Sequence, residues 1–314
     1  MIRMILRRTL IAVPLLVVVS FAVFALTALS PTDPARSILG EGATPASVRA
    51  LRHQLGLDQP ILQRYWSWLE QLFHGSLGRS WFGNVPVGTK ITQGLPVTAA
   101  LVLSSLLLTA LIAIPVGLYA GMRTGGRLDR SASFVAGFCL AMPEFWVALL
   151  LILVLSEKTH ILPGTGATSI TGNVVADVRH LVLPVVALSL PQICALFRQT
   201  RSSTALVANQ DYIRTARAGG ISTHALVWTR IAKNALVPSV TLLALQLGRM
   251  IGVAAVVESV TGMHGIGSTA VQAALNSDIP IILGVVLVTA AVVMAANLLA
   301  DIATYYLAPK ARQQ

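Results

Sequence analysis

The stretch DYIRTARAGGISTHALVWTRIAKNALVP, Asp211–Pro238, decides the fold because it is polar and basic and yet lies between two apolar runs. The chain around it is 55% hydrophobic and 11% charged over 314 residues, with a mean hydropathy of +0.74. This composition is far from that of a soluble domain and is typical of a protein that crosses a membrane several times. The quoted stretch is therefore predicted to connect two membrane spans.

Six apolar runs are long enough, or nearly so, to cross a hydrocarbon core of about 30 Å as helices of about 20 residues. The fourth run is the weakest because it is short and contains Pro184 and Pro191, although membrane helices tolerate proline. The first run resembles a signal peptide in its basic flank, but its length favours a retained helix. The sequence predicts an all-α polytopic membrane protein with six transmembrane helices. The predicted spans are 9–29, 97–122, 132–156, 181–197, 235–257 and 279–300, and the last can extend to Leu307.

Most Lys and Arg residues fall in segments that share a side with the N-terminus, so the positive-inside rule places both termini in the cytoplasm. Topology then accounts for the net charge of +11, and no nucleic-acid partner is predicted. The predicted regions are the N-terminus with the first span (1–30), an extracytoplasmic loop region (31–96), a transmembrane core (97–308) with a cytoplasmic loop (199–234), and a cytoplasmic tail (309–314).

The first extracytoplasmic loop contains the helical pattern PILQRYWSWLEQLF, residues 60–73. One interpretation is an interfacial helix anchored by its tryptophans. Another, compatible with the first, is a surface that receives an extracytoplasmic partner. The residues expected on its broad apolar face are Ile61, Leu62, Tyr65, Trp66, Trp68, Leu69, Leu72 and Phe73.

Within the quoted stretch, Asp211 can cap a helix through YIRTARA, and the glycine pair at 219 and 220 ends it. Ser222 or Thr223 can begin a second helix that runs toward Pro238 at the membrane. The pattern predicts a helix, a glycine turn and a helix at the cytoplasmic face. Taken alone, it is equally compatible with a basic loop that binds anionic lipid.

The stretch also resembles the coupling loop of ABC importer permeases, whose pattern is Glu-Ala-Ala, three residues, Gly, nine residues, then Ile-x-Leu-Pro. Alignment on Gly220 places Leu236 and Pro238 at the end of that pattern, but the leading Glu is absent. The peptide and nickel branch of the family instead reads Asp-Tyr-x-Arg-x-Ala-Arg-Ala-x-Gly, which DYIRTARAGG matches. LGLDQP from Leu55, MPEFW from Met142 and VVESVTGMHGIG from Val256 resemble the same branch along most of the chain.

The resemblance implies the transmembrane domain of a type I ABC importer for di- or oligopeptides, in a bacterial cytoplasmic membrane. It does not separate peptides from nickel or haem. The implied partners are a homologous second permease, two ABC ATPase subunits or domains, an extracytoplasmic substrate-binding protein and membrane lipid. The chain is expected to be non-catalytic and to hold no cofactor or metal, because it lacks GxxxxGK[ST] and its ATPases would bind ATP and Mg.

In such a loop, Tyr212, Ile213 and Ala216 would wedge the first helix into a groove of the ATPase, and Arg214 and Arg217 would pair with its acids. Gly220 would permit the tight reversal that keeps the wedge compact. The residues implied in coupling are Asp211, Tyr212, Ile213, Arg214, Thr215, Ala216, Arg217, Ala218, Gly219, Gly220 and Pro238.

Two charges fall inside predicted spans, Glu144 about 20 Å into the third and Arg249 at a similar depth in the fifth. Because a lone charge in lipid is costly, both should face the helix bundle or a wet cavity. They could pair with each other, which we favour, or line the substrate path. Glu258, at the outer end of the fifth span, is expected to be interfacial and to contact the partner permease. The alternative function is a proton-coupled secondary transporter with Glu144 as the proton carrier.

Overall fold

A computed structural model describes residues 2–29, 33–164 and 174–307. Within these residues the chain is helical, and its one pairing of β type is an isolated bridge between Arg79 and Pro86. The predicted cytoplasmic tail, 309–314, lies outside the described residues. The helices are α1 Ile2–Ala28, α2 Pro34–Leu39, α3 Pro45–Gln54, α4 Ile61–Phe73, α5 Val87–Met122, α6 Arg127–Leu140, α7 Glu144–Leu151, α8 Val174–Ala208, α9 Asp211–Ala218, α10 Thr223–Leu226, α11 Ala232–Thr261, α12 Ile266–Asn276 and α13 Ile279–Leu307.

Two π-helical turns extend these helices. Ile152–Lys158 continues α7, and Val227–Ile231 joins α10 to α11 without a break. Among the described residues, five stretches are long and apolar enough to cross a membrane. They lie at Leu10–Thr27, Val87–Met122, Asp177–Ala208, Thr223–Thr261 and Ile279–Leu299, so five of the six predicted spans are confirmed.

The predicted third span is not one helix. It consists of α6 and α7, which meet at an angle of 100° across a short break. Pro143 supplies the cause, because proline has no backbone N–H and disfavours helical geometry in the residue before it. The total is six spans if the bent pair is one crossing. Since Glu144 begins α7 after this bend, its depth does not follow from a count along an unbroken helix.

The predicted fourth span, in contrast, is part of one continuous helix. This helix, α8, is 35 residues long and contains both Pro184 and Pro191. The apolar run covers only its middle. The helix continues through a polar portion to Ala208, close to the start of the quoted stretch.

The chain divides into two compact units, of which the first comprises Met1–Thr98 with Met263–Met294. In this unit α4 packs along α1: the Tyr65 hydroxyl donates a hydrogen bond to the Val17 carbonyl oxygen at 3.1 Å and lies 2.8 Å from Ser20 Oγ. Val17 is 11 residues before the end of α1, which corresponds to about 16 Å of helix. Thus α4 contacts α1 well inside the first span, and not only at its end.

The predicted broad apolar face of α4 is covered by neighbouring helices only in part. Tyr65 and Trp68 are buried, whereas Leu62, Trp66 and Phe73 are strongly exposed. The two tryptophans therefore face different surroundings, because one side of α4 packs on α1 and the beginning of α13. Sequence alone does not reveal which side of an apolar helix another helix covers.

A buried carboxylate organises the loop that follows α4. Asp278, just before α13, accepts hydrogen bonds from Ser80 Oγ and from the Trp81 backbone N–H. In the same unit, the Ile266 backbone N–H donates to Thr98 Oγ1 at 2.9 Å, which fastens the start of α12 to α5.

The second unit comprises Ala99–Gly262 and the chain from Ala295, and its helices pack on α8. Gly117 and Gly121 of α5 form a GxxxG pair against it: a Cβ on Gly121 would lie 2.6 Å from the Arg201 carbonyl oxygen. Small residues at this spacing let membrane helices approach closely. Cys139 of α6 and Cys194 of α8 are free and buried in one apolar cluster of this unit.

Hydrogen bonds made by buried side chains join α8 to α11 in the same unit. The hydroxyls of Thr200 and Ser239 are 2.9 Å apart and fully buried, and Gln246 Nε2 donates to the Gln192 carbonyl oxygen at 3.2 Å. Polar side chains buried between membrane helices stabilise their association.

The close α5–α8 contact predicts that Gly121→Ala destabilises the protein, because the added methyl group must displace the α8 backbone. The expected loss is about 1–3 kcal/mol. Gly137→Ala on α6 is the matched control, since a Cβ there meets no atom within 4 Å and alanine favours helix. Thermal unfolding of both purified variants in detergent measures the difference, and an unchanged midpoint for Gly121→Ala would show that α5 and α8 have room to separate.

Candidate functional site

The Asp211–Pro238 segment forms the predicted helix, glycine turn and helix between α8 and α11. Gln210, and not Asp211, is the N-cap residue, and Asp211 is the first residue of α9. Ser222 caps α10, because its hydroxyl accepts a hydrogen bond from the Ala225 backbone N–H at 3.4 Å. The second helix then continues through the π-helical turn into α11, with Pro238 inside that helix.

Gly220 makes the reversal between α9 and α10. Its φ of +83° lies in the left-handed region, which side chains with a Cβ adopt only with strain. The adjacent Gly219 has an ordinary φ of −76°. The turn is closed by a hydrogen bond from the Gly220 N–H to the Arg217 carbonyl oxygen at 3.1 Å. Of the two glycines, only the second is required by the backbone.

A small apolar core holds the two helices together. Ile213 of α9 is fully buried against Leu226, Ile231 and Ala235, which are also fully buried. The partly buried residues packed on this core are Met122, Val207, Ala208, Ala216 and Ile221. Because Met122 ends α5 and Val207 and Ala208 lie at the end of α8, the core ties the segment to three long helices.

This core corrects the expected role of two residues. Ile213 and Ala216 were predicted to face a partner protein, but Ile213 has no exposed surface and Ala216 packs beside it. The turn at Gly220 folds α10 and α11 back over this face of α9. Burial of an isoleucine side chain stabilises the fold by about 1.5–3 kcal/mol, so the residue holds the segment closed.

The rest of the α9 surface is open. Tyr212 is 43% exposed at one edge of the buried side, and Arg214 and Arg217 are exposed beyond the other edge. The contact between Arg214 and Asp211, 3.8 Å, joins two exposed side chains and contributes little. The exposed surface of α9 therefore carries an aromatic ring and two guanidinium groups, side-chain types that are enriched among the residues that dominate protein–protein interfaces.

Tyr212 also links α9 to the start of α11, because Asn234 Nδ2 donates a hydrogen bond to its hydroxyl at 3.2 Å. Thr215 is exposed and donates to the Asp211 carbonyl oxygen within the helix. Trp228, in the π-helical turn, is 53% exposed. Short π-helical turns inside α-helices are frequent at functional sites.

The helix that leads into this site, α8, is bound to α6 by a buried ion pair that was not predicted from the sequence. Asp129, 3% exposed, accepts hydrogen bonds from Arg201 Nε, from Arg201 Nη2 at 2.8 Å, and from the Gly125 backbone N–H at 2.8 Å. A bidentate bond between Arg and a carboxylate fixes geometry as well as charge. It joins the start of α6 to the last two turns of α8. The available signal was one acid in a basic run, RTGGRLDR, after a glycine pair.

Glu144 and Arg249 do not pair with each other, so the favoured expectation for these two described residues is wrong. Arg249 is exposed on α11, and Glu144 Oε1 is buried without a hydrogen-bond partner at the start of α7. Because Glu144 follows the break, the direction of its carboxylate is set by α7 and not by a continuous third span. Glu258 is fully buried within this chain, which contradicts the expected contact with a partner permease.

No group of three His, Cys, Asp or Glu side chains in the described parts of the chain is placed to hold a metal ion.

Comparison with solved structures assigns the class of fold. The chain superposes on a chain of the MetNI methionine ABC transporter with a TM-score of 0.54, over 69% of this chain and 95% of that one, at 18% sequence identity. At this identity the likeness concerns the fold alone, which is that of the type I ABC importer transmembrane domain.

The family follows from the sequence matches. The chain belongs to the binding-protein-dependent transport system inner membrane components, whose family model matches residues 113–313, and the model for the N-terminal part of such components matches residues 1–102. A putative peptide transport system permease protein of Brucella abortus is 35% identical over 98% of both chains. The oligopeptide transport system permease protein AppB of Bacillus subtilis is 33% identical over 95% of both. The dipeptide transport system permease protein DppB of Escherichia coli is 29% identical over the full length of both.

The left-handed turn predicts different effects for the two neighbouring glycines. Gly220→Ala should destabilise the closed segment by about 1 kcal/mol and speed hydrogen exchange of the α9 amides about fivefold. Gly219→Ala should leave exchange unchanged or slow it, because alanine adopts its conformation without strain. Hydrogen exchange followed by mass spectrometry of peptides covering 211–222 makes the comparison, and equal rates for the two variants would contradict the assigned turn.

The Asp129–Arg201 pair predicts that Asp129→Asn lowers the stability of the protein by about 2–3 kcal/mol. This value lies at the lower end for a buried pair because Arg201 is 34% exposed. Replacing both partners, Asp129→Leu with Arg201→Met, should recover much of the loss because no charge is left unpaired. Thermal unfolding in detergent provides the measurement, with Arg198→Gln, on the exposed side of α8, as the control. A double variant no more stable than Asp129→Asn would show that the loss does not come from an unpaired charge.

Proposed function

We propose that the chain is the permease subunit of an ATP-driven peptide importer and that the Asp211–Pro238 segment couples it to ATPase subunits. The division of α9 into two faces is the observation that carries this proposal. Tyr212, Arg214 and Arg217 are exposed, while Ile213 fastens the same helix to the rest of the chain. A helix with one free basic face and one anchored face can both bind a partner and transmit its movement.

The path of transmission follows from the core behind α9. A partner that displaces α9 also displaces Leu226 and Ile231, which lead without interruption into α11. It also acts on the end of α5 through Met122 and on α8 through Val207. Because packed interiors are close to incompressible, the motion passes to these spans and is not absorbed in the segment.

ATP hydrolysis would then be carried out by the partner subunits. Two ABC ATPase subunits or domains would bind ATP and Mg and dock on the two coupling segments of a pair of permeases, this chain and a homologous second one. The chain itself would contribute no catalytic residue and hold no cofactor. Both its termini would be cytoplasmic, since the positive-inside rule places the basic 211–238 segment on the same side as them.

The substrate class rests on the relatives. The chains with 29 to 35% identity over nearly the whole sequence are named as peptide, oligopeptide and dipeptide permeases. We infer that a peptide-loaded extracytoplasmic binding protein delivers the substrate. Glu144, with its unpartnered buried oxygen, and exposed Arg249 are the charged groups of the spans that would line the path or meet the second permease.

The proton-coupled alternative is not supported. A carrier that relies on Glu144 needs neither a binding protein nor a conserved shape in the 211–238 segment, and it gives no reason for the anchored helix and turn found there. Membership of a family described as binding-protein-dependent supports the importer instead.

The experiment that tests the proposal is affinity purification of the tagged chain from its native membrane in mild detergent, with identification of every subunit recovered. A second permease and a P-loop ATPase should accompany the wild type. The amount of ATPase recovered with Arg217→Glu should be at least tenfold lower than with the wild type. The change reverses a charge at the docking face while the segment stays folded. Arg130→Glu, an exposed arginine on α6, is the control and should retain the ATPase. Recovery of the wild type alone in several detergents would contradict the proposal.

A further inference from the structure

A cavity of about 460 Å³ lies between the end of the α7 π-helical turn and the beginning of α8, within the second unit. Its size is in the range of small-molecule sites. Since α8 has 35 residues, or about 52 Å of helix, this cavity is at the opposite end of α8 from α9. The lining residues are Ser156, His160, Ile161, Leu162, Pro163, Arg179 and His180.

The backbone departs from regular helix in three ways to form this cavity. The turn Ile152–Lys158 is π-helical, and His160 has a φ of +51°, in the left-handed region. Gly164 folds back against the helix so closely that a Cβ there would lie 2.6 Å from Ser156 Oγ. Both π-helical turns and left-handed residues other than glycine are concentrated at functional sites, where surrounding structure maintains the strain.

The lining has a polar part and an apolar part. Arg179, His160, His180 and Ser156 bring guanidinium, imidazole and hydroxyl groups to the cavity, and none of the lining residues is acidic. Arg179 Nη2 lies 3.5 Å from the Ile161 carbonyl oxygen, a weak contact that leaves the other guanidinium donors for a ligand. Ile161, Leu162 and Pro163 form an aliphatic wall beside them.

This chemistry fits a carboxylate that carries an apolar side chain. The planar fork of an arginine binds the two oxygens of a carboxylate together, and neighbouring N–H and O–H groups complete its hydrogen bonds. The aliphatic wall provides contact for a side chain on the adjacent carbon. The C-terminal residue of a peptide carries its carboxylate and its side chain on the same atom, Cα.

We propose that this cavity is a subsite for the C-terminal residue of an incoming peptide, with Arg179 binding its carboxylate. The inference rests on the proposed function, because it requires that peptides reach the side of the membrane opposite α9. It assigns to the permease a contribution to selectivity that is separate from that of the binding protein. A phospholipid phosphate is the competing anion, but it carries no aliphatic side chain beside its charged oxygens to contact this wall.

The test uses the complete transporter reconstituted in liposomes with its binding protein. Uptake of a labelled tripeptide, Ala-Ala-Leu, is compared with uptake of the same tripeptide amidated at its C-terminus. The readout is the ratio of the two rates, which removes the binding protein's own preference when variants are compared. Arg179→Gln should lower this ratio about tenfold, the effect of one charge-assisted hydrogen bond.

Lys158→Gln is the matched control, because this cation lies at the end of the same π-helical turn but does not line the cavity, and its ratio should equal that of the wild type. An unchanged ratio in Arg179→Gln would overturn the subsite while leaving the proposed function intact. Failure of the wild type to take up either tripeptide would overturn the proposed function and the subsite with it. Equal losses for both tripeptides that vary with the phosphatidylglycerol content of the liposomes would assign the cavity to lipid and overturn the peptide subsite.

Discussion

Helices in hydrocarbon are held together by close packing and hydrogen bonds, because lipid tails are as apolar as the side chains that contact them. In the second unit these interactions converge on α8. Gly121 lets α5 approach its backbone, Asp129 binds its Arg201 from α6, and Ser239 of α11 meets its Thr200. Because three helices depend on different groups of one helix, a displacement of α8 cannot be confined to a single neighbour.

The two ends of α8 contribute to the two sites proposed above. Near its C-terminal end, Val207 and Ala208 pack under the core of the 211–238 segment, and near its other end Arg179 and His180 line the cavity. One helix, with Pro184 and Pro191 inside it, therefore runs between the two sites. In the proposed coupling role, movement at the α9 end would reach the cavity through this one element.

Much of the fold could be predicted from the sequence because the bilayer imposes one rule, the pairing of every backbone polar group within a helix about 20 residues long. Five spans obey it directly. The break before Glu144 was not predicted because the apolar run continues across it. Pro143 was the one residue that marked the change of direction. Gly220 was predicted correctly because a required left-handed turn depends on local geometry, which the sequence encodes at that position.

The residues that sequence reasoning misplaced or missed depend on contacts between distant segments. Ile213 and Tyr212 are neighbours on an amphipathic helix, and nothing in DYIRTARA says which face the next helix will cover. The pairing of Asp129 with Arg201 joins positions 72 residues apart, and the separation of Glu144 from Arg249 depends on a bend elsewhere in the chain. Such features follow from packing and not from local pattern.

The division of α9 into an anchored face and a free face has a mechanistic consequence. If every side chain of a coupling helix contacted the partner, binding energy and transmitted force would depend on the same residues, and tighter docking would loosen the helix from its own chain. Here Ile213 is held by burial, which is nondirectional and tolerates small rotations, while Arg217 is free to form charged contacts. In the proposed coupling role, docking strength and transmission can therefore change independently, and the Gly220 reversal, by folding α10 over one face, is the feature that separates them.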